Sequence, residues 1–145
     1  MIVFTGRVDK TSDHNYTLTL IYELRQKARL KTKSDSGEEV GLMLSRGEIL
    51  RDGDCLQSEE GAIAKIIAAP EEVSIVTSDN KLLLTKAAYH LGNRHMALQI
   101  EETFLMYQKD HVLDEMITSL GLSVTHEMRP FEPESGAYHS HNHSH

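Results

Sequence analysis

Cysteine occurs once in 145 residues, at position 55, which excludes an internal disulfide framework and any two-cysteine motif for a soft metal. A lone thiol fits a reducing compartment, and the chain is expected to be cytoplasmic. Long apolar runs are also missing. The longest, Ala62 to Ala69, is broken by Lys65 and falls well short of the ~20 residues that a membrane-spanning helix needs. The first ten residues, MIVFTGRVDK, lack a basic n-region and a cleavage site, so no secretory signal is expected. No basic patch stands out. Fifteen basic against twenty-two acidic side chains leave a formal charge of −7, and the densest cationic stretch, Arg25 to Lys33, alternates with apolar residues before meeting Asp35 and Glu38. Such a chain repels phosphate backbones, so nucleic acid is not expected among its partners. HExxH and Gly-x-Ser-x-Gly are absent, and the Ser78-Asp79-Asn80 turn lacks the arginine and glycines of an acyl-phosphate site. The chain is therefore not expected to be an enzyme.

What is present suits a folded protein: 39% hydrophobic and 26% charged residues, enough for one domain or two small ones. The first seventy residues read as short strands. Ile2 to Val8 is apolar and β-branched, and Tyr16, Leu18 and Leu20 alternate with threonines. Val40 to Leu44, Glu48 to Leu56 and Gly61 to Ala69 complete a small all-β unit, either a barrel or a sandwich, with a turn at Asp52-Gly53. Pro70-Glu71-Glu72 reads as a joint.

Beyond the joint the pattern becomes strand, helix, strand, strand, helix, strand. Val73 to Thr77 is the first strand. Ser78-Asp79-Asn80 caps a helix whose Leu84, Ala87, Ala88 and Leu91 share one face, and Gly92-Asn93 reads as its stop. Met96, Leu98 and Ile100 alternate as a strand, and Thr103 to Tyr107 pairs with it. Asp110 caps a second helix carrying Leu113, Met116, Ile117 and Leu120, where Asp114 and Glu115 complement the positive N-terminus and Gly121 ends the turn. Leu122, Val124, His126 and Met128 form the last strand. The expected class is α+β: an all-β N-terminal domain over 1–70, a ferredoxin-like βαββαβ domain over 71–130, and a flexible histidine-rich tail over 131–145. The RNA-recognition fold shares this order, but Phe104 and Tyr107 lack its glycine–aromatic pattern.

Histidine carries the clearest chemical signal. Four of the nine, His139, His141, His143 and His145, alternate with Ser and Asn in the last seven residues. Neutral imidazoles spaced by two suit nickel, copper or zinc, whereas the lack of thiol partners argues against copper(I) and structural zinc. The alternative is an appended purification tag, although such tags are usually unbroken histidine runs. His95 follows the helix stop and Arg94. Read alone it is a surface histidine, and one imidazole cannot hold a transition metal. A two-fold dimer would supply a second copy. His111 and Glu115 share a helical face, as a polar helix start also would. His126 reads as the edge of a packed face, His90 as helix decoration and Cys55 as a small buried side chain.

Two stretches, Tyr89-His90-Leu91-Gly92-Asn93-Arg94-His95 and Asp110-His111-Val112-Leu113-Asp114-Glu115-Met116, resemble the UreE family of nickel metallochaperones, as does Arg129-Pro130-Phe131-Glu132-Pro133-Glu134-Ser135-Gly136-Ala137-Tyr138. The resemblance implies a peptide-binding-like β domain followed by a metal-binding domain that forms homodimers. It assigns His95, in the Gly92-Asn93-Arg94-His95 motif, to Ni(II) at the dimer interface with its symmetry mate. The tail histidines would complete or feed that site. Nickel would pass through the urease accessory GTPase complex to apo-urease. Some relatives carry His-Asp-His before the second helix as a further metal site. Here Lys109-Asp110-His111 replaces it, and the lysine ammonium repels a cation, so a site at Asp110 and His111 is weakened.

Metal carriage is thus the leading expectation, with Zn(II) and Cu(II) as ions the same imidazoles accept in vitro. The alternative is a histidine-rich divalent-metal binding or storage protein unconnected to urease. In either case the ligating imidazoles must be unprotonated. Nickel affinity, measured by calorimetry across a pH series, is expected to fall as pH drops through about 6.5.

Overall fold

Alternation in the first unit sorts side chains onto two sides of one sheet. A computed structural model describes residues 1–136. In residues Met1–Ala69 the strands are β1 (Ile2–Val8), β2 (Tyr16–Leu20), β3 (Arg29–Lys33), β4 (Glu39–Met43), β5 (Cys55–Ser58) and β6 (Ile63–Ala68), with a single-turn helix α1 (Tyr22–Arg25) between β2 and β3. They form a mixed sheet in the order β2-β6-β5-β1-β4-β3, parallel at β1–β4 and β2–β6. Phe4, Leu18, Leu20, Val40, Leu42, Leu50, Leu56, Ala64 and Ile66 make its core. The sheet curls until its two edges meet. Asp35, just past β3, donates its backbone N–H to the Thr17 carbonyl of β2. Its carboxylate accepts from both Thr17 and Thr19 hydroxyls at 2.7 Å.

The largest fully buried side chain in this unit is a cation, Arg25. Its guanidinium donates from Nε to the Leu20 carbonyl and from one terminal nitrogen to the Leu50 carbonyl, both at 3.1 Å, and lies 5.7 Å from the centre of the Tyr22 ring. The Arg25 carbonyl in turn accepts from the Leu50 N–H. These bonds hold a loop where a strand is expected over Glu48 to Leu56. Strand pairing begins only at Cys55, because Gly47 and Gly53 both turn the chain through positive φ and Leu50 is buried without a ladder. Asp54 secures the loop from the other side through ion pairs to Arg7 and Lys10. β3 is absent from the sequence reading because Arg-Leu-Lys-Thr-Lys presents one apolar residue in five.

The chain from Pro70 forms a second unit: β7 (Pro70–Thr77), α2 (Lys81–Gly92), β8 (Gln99–Ile100), β9 (Phe104–Gln108), α3 (His111–Ser119) and β10 (Ser123–Pro130). The sheet is antiparallel throughout, in the order β10-β7-β9-β8. Leu84, Ala87 and Leu91 of α2 and Leu113 and Ile117 of α3 pack with Val76, Leu105 and Tyr107. The sequence pattern identifies both helices, and Asn80 and Asp110 cap them as expected. The expected joint coincides with the boundary between the units, and Pro70 is also the first residue of β7, directly opposite Pro130. A proline at a strand terminus removes no ladder bond that the strand needs. β8 is shorter than the expected Met96–Ile100 strand, because the chain is still completing a turn at His95.

Among the described residues no helix is long and apolar enough to cross a membrane. Arg25→Met is expected to cost the first unit about 3 kcal/mol, since two buried carbonyls lose a charged donor. Urea denaturation of the two proteins measures the difference.

Candidate metal centre

His95 sits where α2 gives way to β8. The helix runs through Gly92, and the turn continues with Arg94 donating to the Leu91 carbonyl and His95 to the Gly92 carbonyl at 3.0 Å. The helix ends at Gly92 with Asn93 as its cap, where the stop is expected, and the turn carries on to His95. The left-handed residue that ends the turn is His95, with φ +57°, the one non-glycine residue with positive φ among those described. Histidine is among the side chains that tolerate this region, at a cost of roughly 1 kcal/mol. The side chain is exposed, as are its neighbours Arg94 and His90. The His90 ring lies edge-on to that of Tyr89 at 5.4 Å.

The other candidate ligands stand apart. His111 opens α3 and its Nε2 lies 3.1 Å from the Glu115 carboxylate, with both side chains exposed. One Asp110 oxygen already accepts the Leu113 N–H as the helix cap. Lys109 is drawn toward Glu72 at 3.6 Å. Among the described residues no three His, Cys, Asp or Glu side chains converge where a metal ion could sit. His139, His141, His143 and His145 lie outside the described residues. Cys55 is buried.

The start of the expected tail is held rather than mobile. Phe131 is fully buried. The Glu132 N–H donates to Gln99 Oε1 and the Glu134 N–H to the Leu98 carbonyl, both at 2.8 Å. One buried aromatic and two N–H donations, to the Gln99 side chain of β8 and to the Leu98 carbonyl just before it, outweigh over 131–134 the polar composition that suggests disorder. Leu98 is only three residues from His95.

A polar network links α3 to the sheet. The Tyr107 hydroxyl donates to one Asp114 oxygen at 2.6 Å, and His126 Nε2 lies 2.7 Å from the other. Ser74 is buried between them, opposite Tyr107 in one register and His126 in the other, its hydroxyl facing the carboxylate without closing a well-formed bond. Burial raises the Asp114 carboxyl, but the Tyr107, Ser74 and His126 groups outweigh it and hold it below its ordinary value. Burial and the adjacent carboxylate push the Tyr107 hydroxyl well up. Asp114 is thus more than a complement to the helix dipole, and His126 is a partner rather than the edge of an apolar face. The signal in the sequence is a histidine in the apolar register of the last strand.

Comparison with known proteins matches residues 5–69 to "UreE urease accessory protein, N-terminal domain" and residues 71–145 to "UreE urease accessory protein, C-terminal domain". The chain belongs to the UreE family. Among its relatives, a urease accessory protein UreE from Alkalilimnicola ehrlichii is 53% identical over 138 residues, 95% of this chain and 85% of that protein. One from Pseudomonas putida strain W619 is 50% identical over 99% of this chain and 90% of its own. One from Citrobacter koseri is 48% identical over 100% of this chain and 96% of its own. UreE proteins are urease accessory proteins, not enzymes, so the absence of a catalytic constellation from the sequence reading agrees with the family.

Asp114→Asn removes a carboxylate whose charged form the fold favours. The contribution is present above the ordinary carboxyl value of 3.8 and is lost as pH falls through the lower folded value. The variant is expected to be less stable by about 1–2 kcal/mol at neutral pH. The gap should narrow in urea titrations as pH falls below 3.8 and through the lower folded value.

Proposed function

We propose that this chain is a cytoplasmic nickel carrier that loads apo-urease through the urease accessory GTPase complex. The second unit, a ferredoxin-like domain, pairs with a second copy to form a homodimer. His95 meets its symmetry mate across that interface, and the two imidazoles hold Ni(II) as cargo. The first unit is the peptide-binding-like domain.

The observation that carries this reading is the pairing of an exposed, left-handed His95 with a chain root tied to Leu98 and Gln99. Three residues separate His95 from Leu98, a span of at most ~11 Å, and five separate Glu134 from His139, a reach of ~17 Å. The first tail imidazole can therefore reach the His95 of its own chain. His141, His143 and His145 extend that reach. One imidazole from each subunit, joined by donors from the histidine-rich segment, grips an ion while leaving it open to attack by a partner's ligands. A closed four-ligand site has no such open position. Asp110 and His111 form at most a weaker second site, because Asp110 serves as a cap, Glu115 engages His111, and Lys109 repels cations. Binding chemistry alone does not separate Ni(II) from Zn(II) or Cu(II). Urease accessory function is what favours nickel over general divalent-metal storage.

Nickel titration by calorimetry, with mass measured in solution, tests the assignment. His95→Ala should abolish the tightest nickel site and leave the dimer's mass unchanged. Removing residues 137–145 should lower the number of ions bound. Wild-type affinity and stoichiometry in the doubly altered chain would refute the assignment.

A further inference from the structure

Along the chain, Arg25 to Lys33 is charge diluted by apolar residues. Folding turns that dilution into concentration, because side chains two apart in a strand share a face. In β3, Arg29, Lys31 and Lys33 stand on the side of the sheet away from the core, while Leu30 packs against it. Lys33 ends the row opposite Glu39 of β4. Arg29 stands opposite Met43, and Lys31 opposite Gly41, which pairs in turn with Val3 of β1. A hollow of about 320 Å³ opens over Gly41, lined by Met1, Val3, Met43, Arg29 and Lys31. Met1 and Met43 are 67% and 49% exposed. Arg29 also lines an adjoining hollow of about 420 Å³ with Lys27 and Arg46.

Two properties of this face serve nothing inside the unit. The first is charge. Among the described residues, the side chains of Lys27, Arg29, Lys31 and Arg46 form no ion pair or hydrogen bond. Arg7 and Lys10 share Asp54, and Arg25 is bonded to carbonyls. A cluster of unmatched cations is therefore left in a chain whose formal charge is −7. The second is the bare α-carbon of Gly41. It lies mid-strand in regular register on both sides, with no positive φ to require glycine. A Cβ there would meet Val3 and Met1 at 3.6 and 3.7 Å, ordinary contact distances. Neither a turn nor crowding excludes a side chain, yet glycine weakens the strand. Glycine in a strand interior often marks close approach by another molecule.

We propose that the outer face of β1, β4 and β3 is a docking surface for an acidic, extended segment of a partner protein, with one apolar side chain seated over Gly41 and flanking carboxylates on Arg29 and Lys31. This rests on the reading of the first unit as peptide-binding-like, to which it adds the chemistry of the ligand; it is independent of the nickel assignment. Lys27 and Arg46 extend the cationic track beyond Arg29. Exposed ion pairs contribute little singly, so affinity comes from several acting together with burial of the apolar anchor. The net negative charge of the rest of the chain repels the same segment and so confines it to this face.

Fluorescence anisotropy of a labelled peptide, Ser-Glu-Asp-Leu-Glu-Ser, titrated with the full-length protein tests the surface. Binding at low salt should weaken steeply as salt rises. Arg29→Glu combined with Lys31→Glu should weaken it about tenfold, and so should serine in place of the peptide's leucine. Gly41→Leu, which fills the hollow, should weaken binding while leaving the urea midpoint at or above that of the wild type. In the unaltered protein, the peptide should shift the NMR amide signals of Lys31, Gly41 and Met43. Binding that ignores salt and the double charge reversal would overturn the proposal, as would signal shifts confined to other strands. Displacement of the peptide by an oligothymidylate of equal affinity would make the face a phosphate site and overturn it too. So would larger oligomers of the chain that the double variant cannot form, since the occupant would then be a second copy. Should Ser-Lys-Lys-Leu-Lys-Ser bind and the acidic peptide not, the first unit still binds peptides and this proposal alone fails. Binding of neither peptide removes both readings.

Discussion

A slip of one residue between β7 and its neighbours would carry Val76 out of the core and break the row in which Ser74 lies between Tyr107 and His126. That register is the constraint on which the second unit depends. It is locked by apolar side chains under the helices and by a carboxylate above them. Asp114 bonds β9 through Tyr107 and β10 through His126, so α3 can dock in one place only. A half-buried polar group of this kind adds little net stability where every partner is present, but it penalises arrangements in which one is missing. The order of the sheet then puts β8 at one edge and β10 at the other, with the end of α2 leading into β8.

Periodicity made much of this fold readable. Leu84, Ala87 and Leu91 recur on one helical face because burying them requires it, and Leu18 and Leu20 alternate with threonine for the equivalent reason in a strand. Where burial does not set the pattern, sequence reading fails. β3 is held by edge pairing and its side chains are mostly exposed cations, so no apolar repeat marks it. Leu50 is buried from a loop by Arg25, a long-range bond that no local window contains. Pro70 marks the boundary between the units as its sequence suggests, but the eight-residue ladder that pairs it with Pro130, sixty residues away, is not visible locally.

The candidate site was legible to a different degree. His95 is recognisable from the Gly92-Asn93-Arg94-His95 string, yet its left-handed backbone is a property of the turn and not of the residue type. The partnership of Asp114 with Tyr107 and His126, and the capture of Glu132 by Gln99, join positions far apart in sequence. Such contacts follow from topology.

The backbone at His95 bears on how the chain evolves. Glycine and asparagine occupy left-handed positions with less strain than histidine, and a sequence selected for folding alone would drift toward one of them. Keeping an imidazole there forgoes a small gain in stability at every generation. On the proposed reading of His95 as a nickel ligand, position 95 is a place where improving the fold and preserving the task pull in opposite directions, and thermostabilised descendants of this protein would reveal which of the two selection favours.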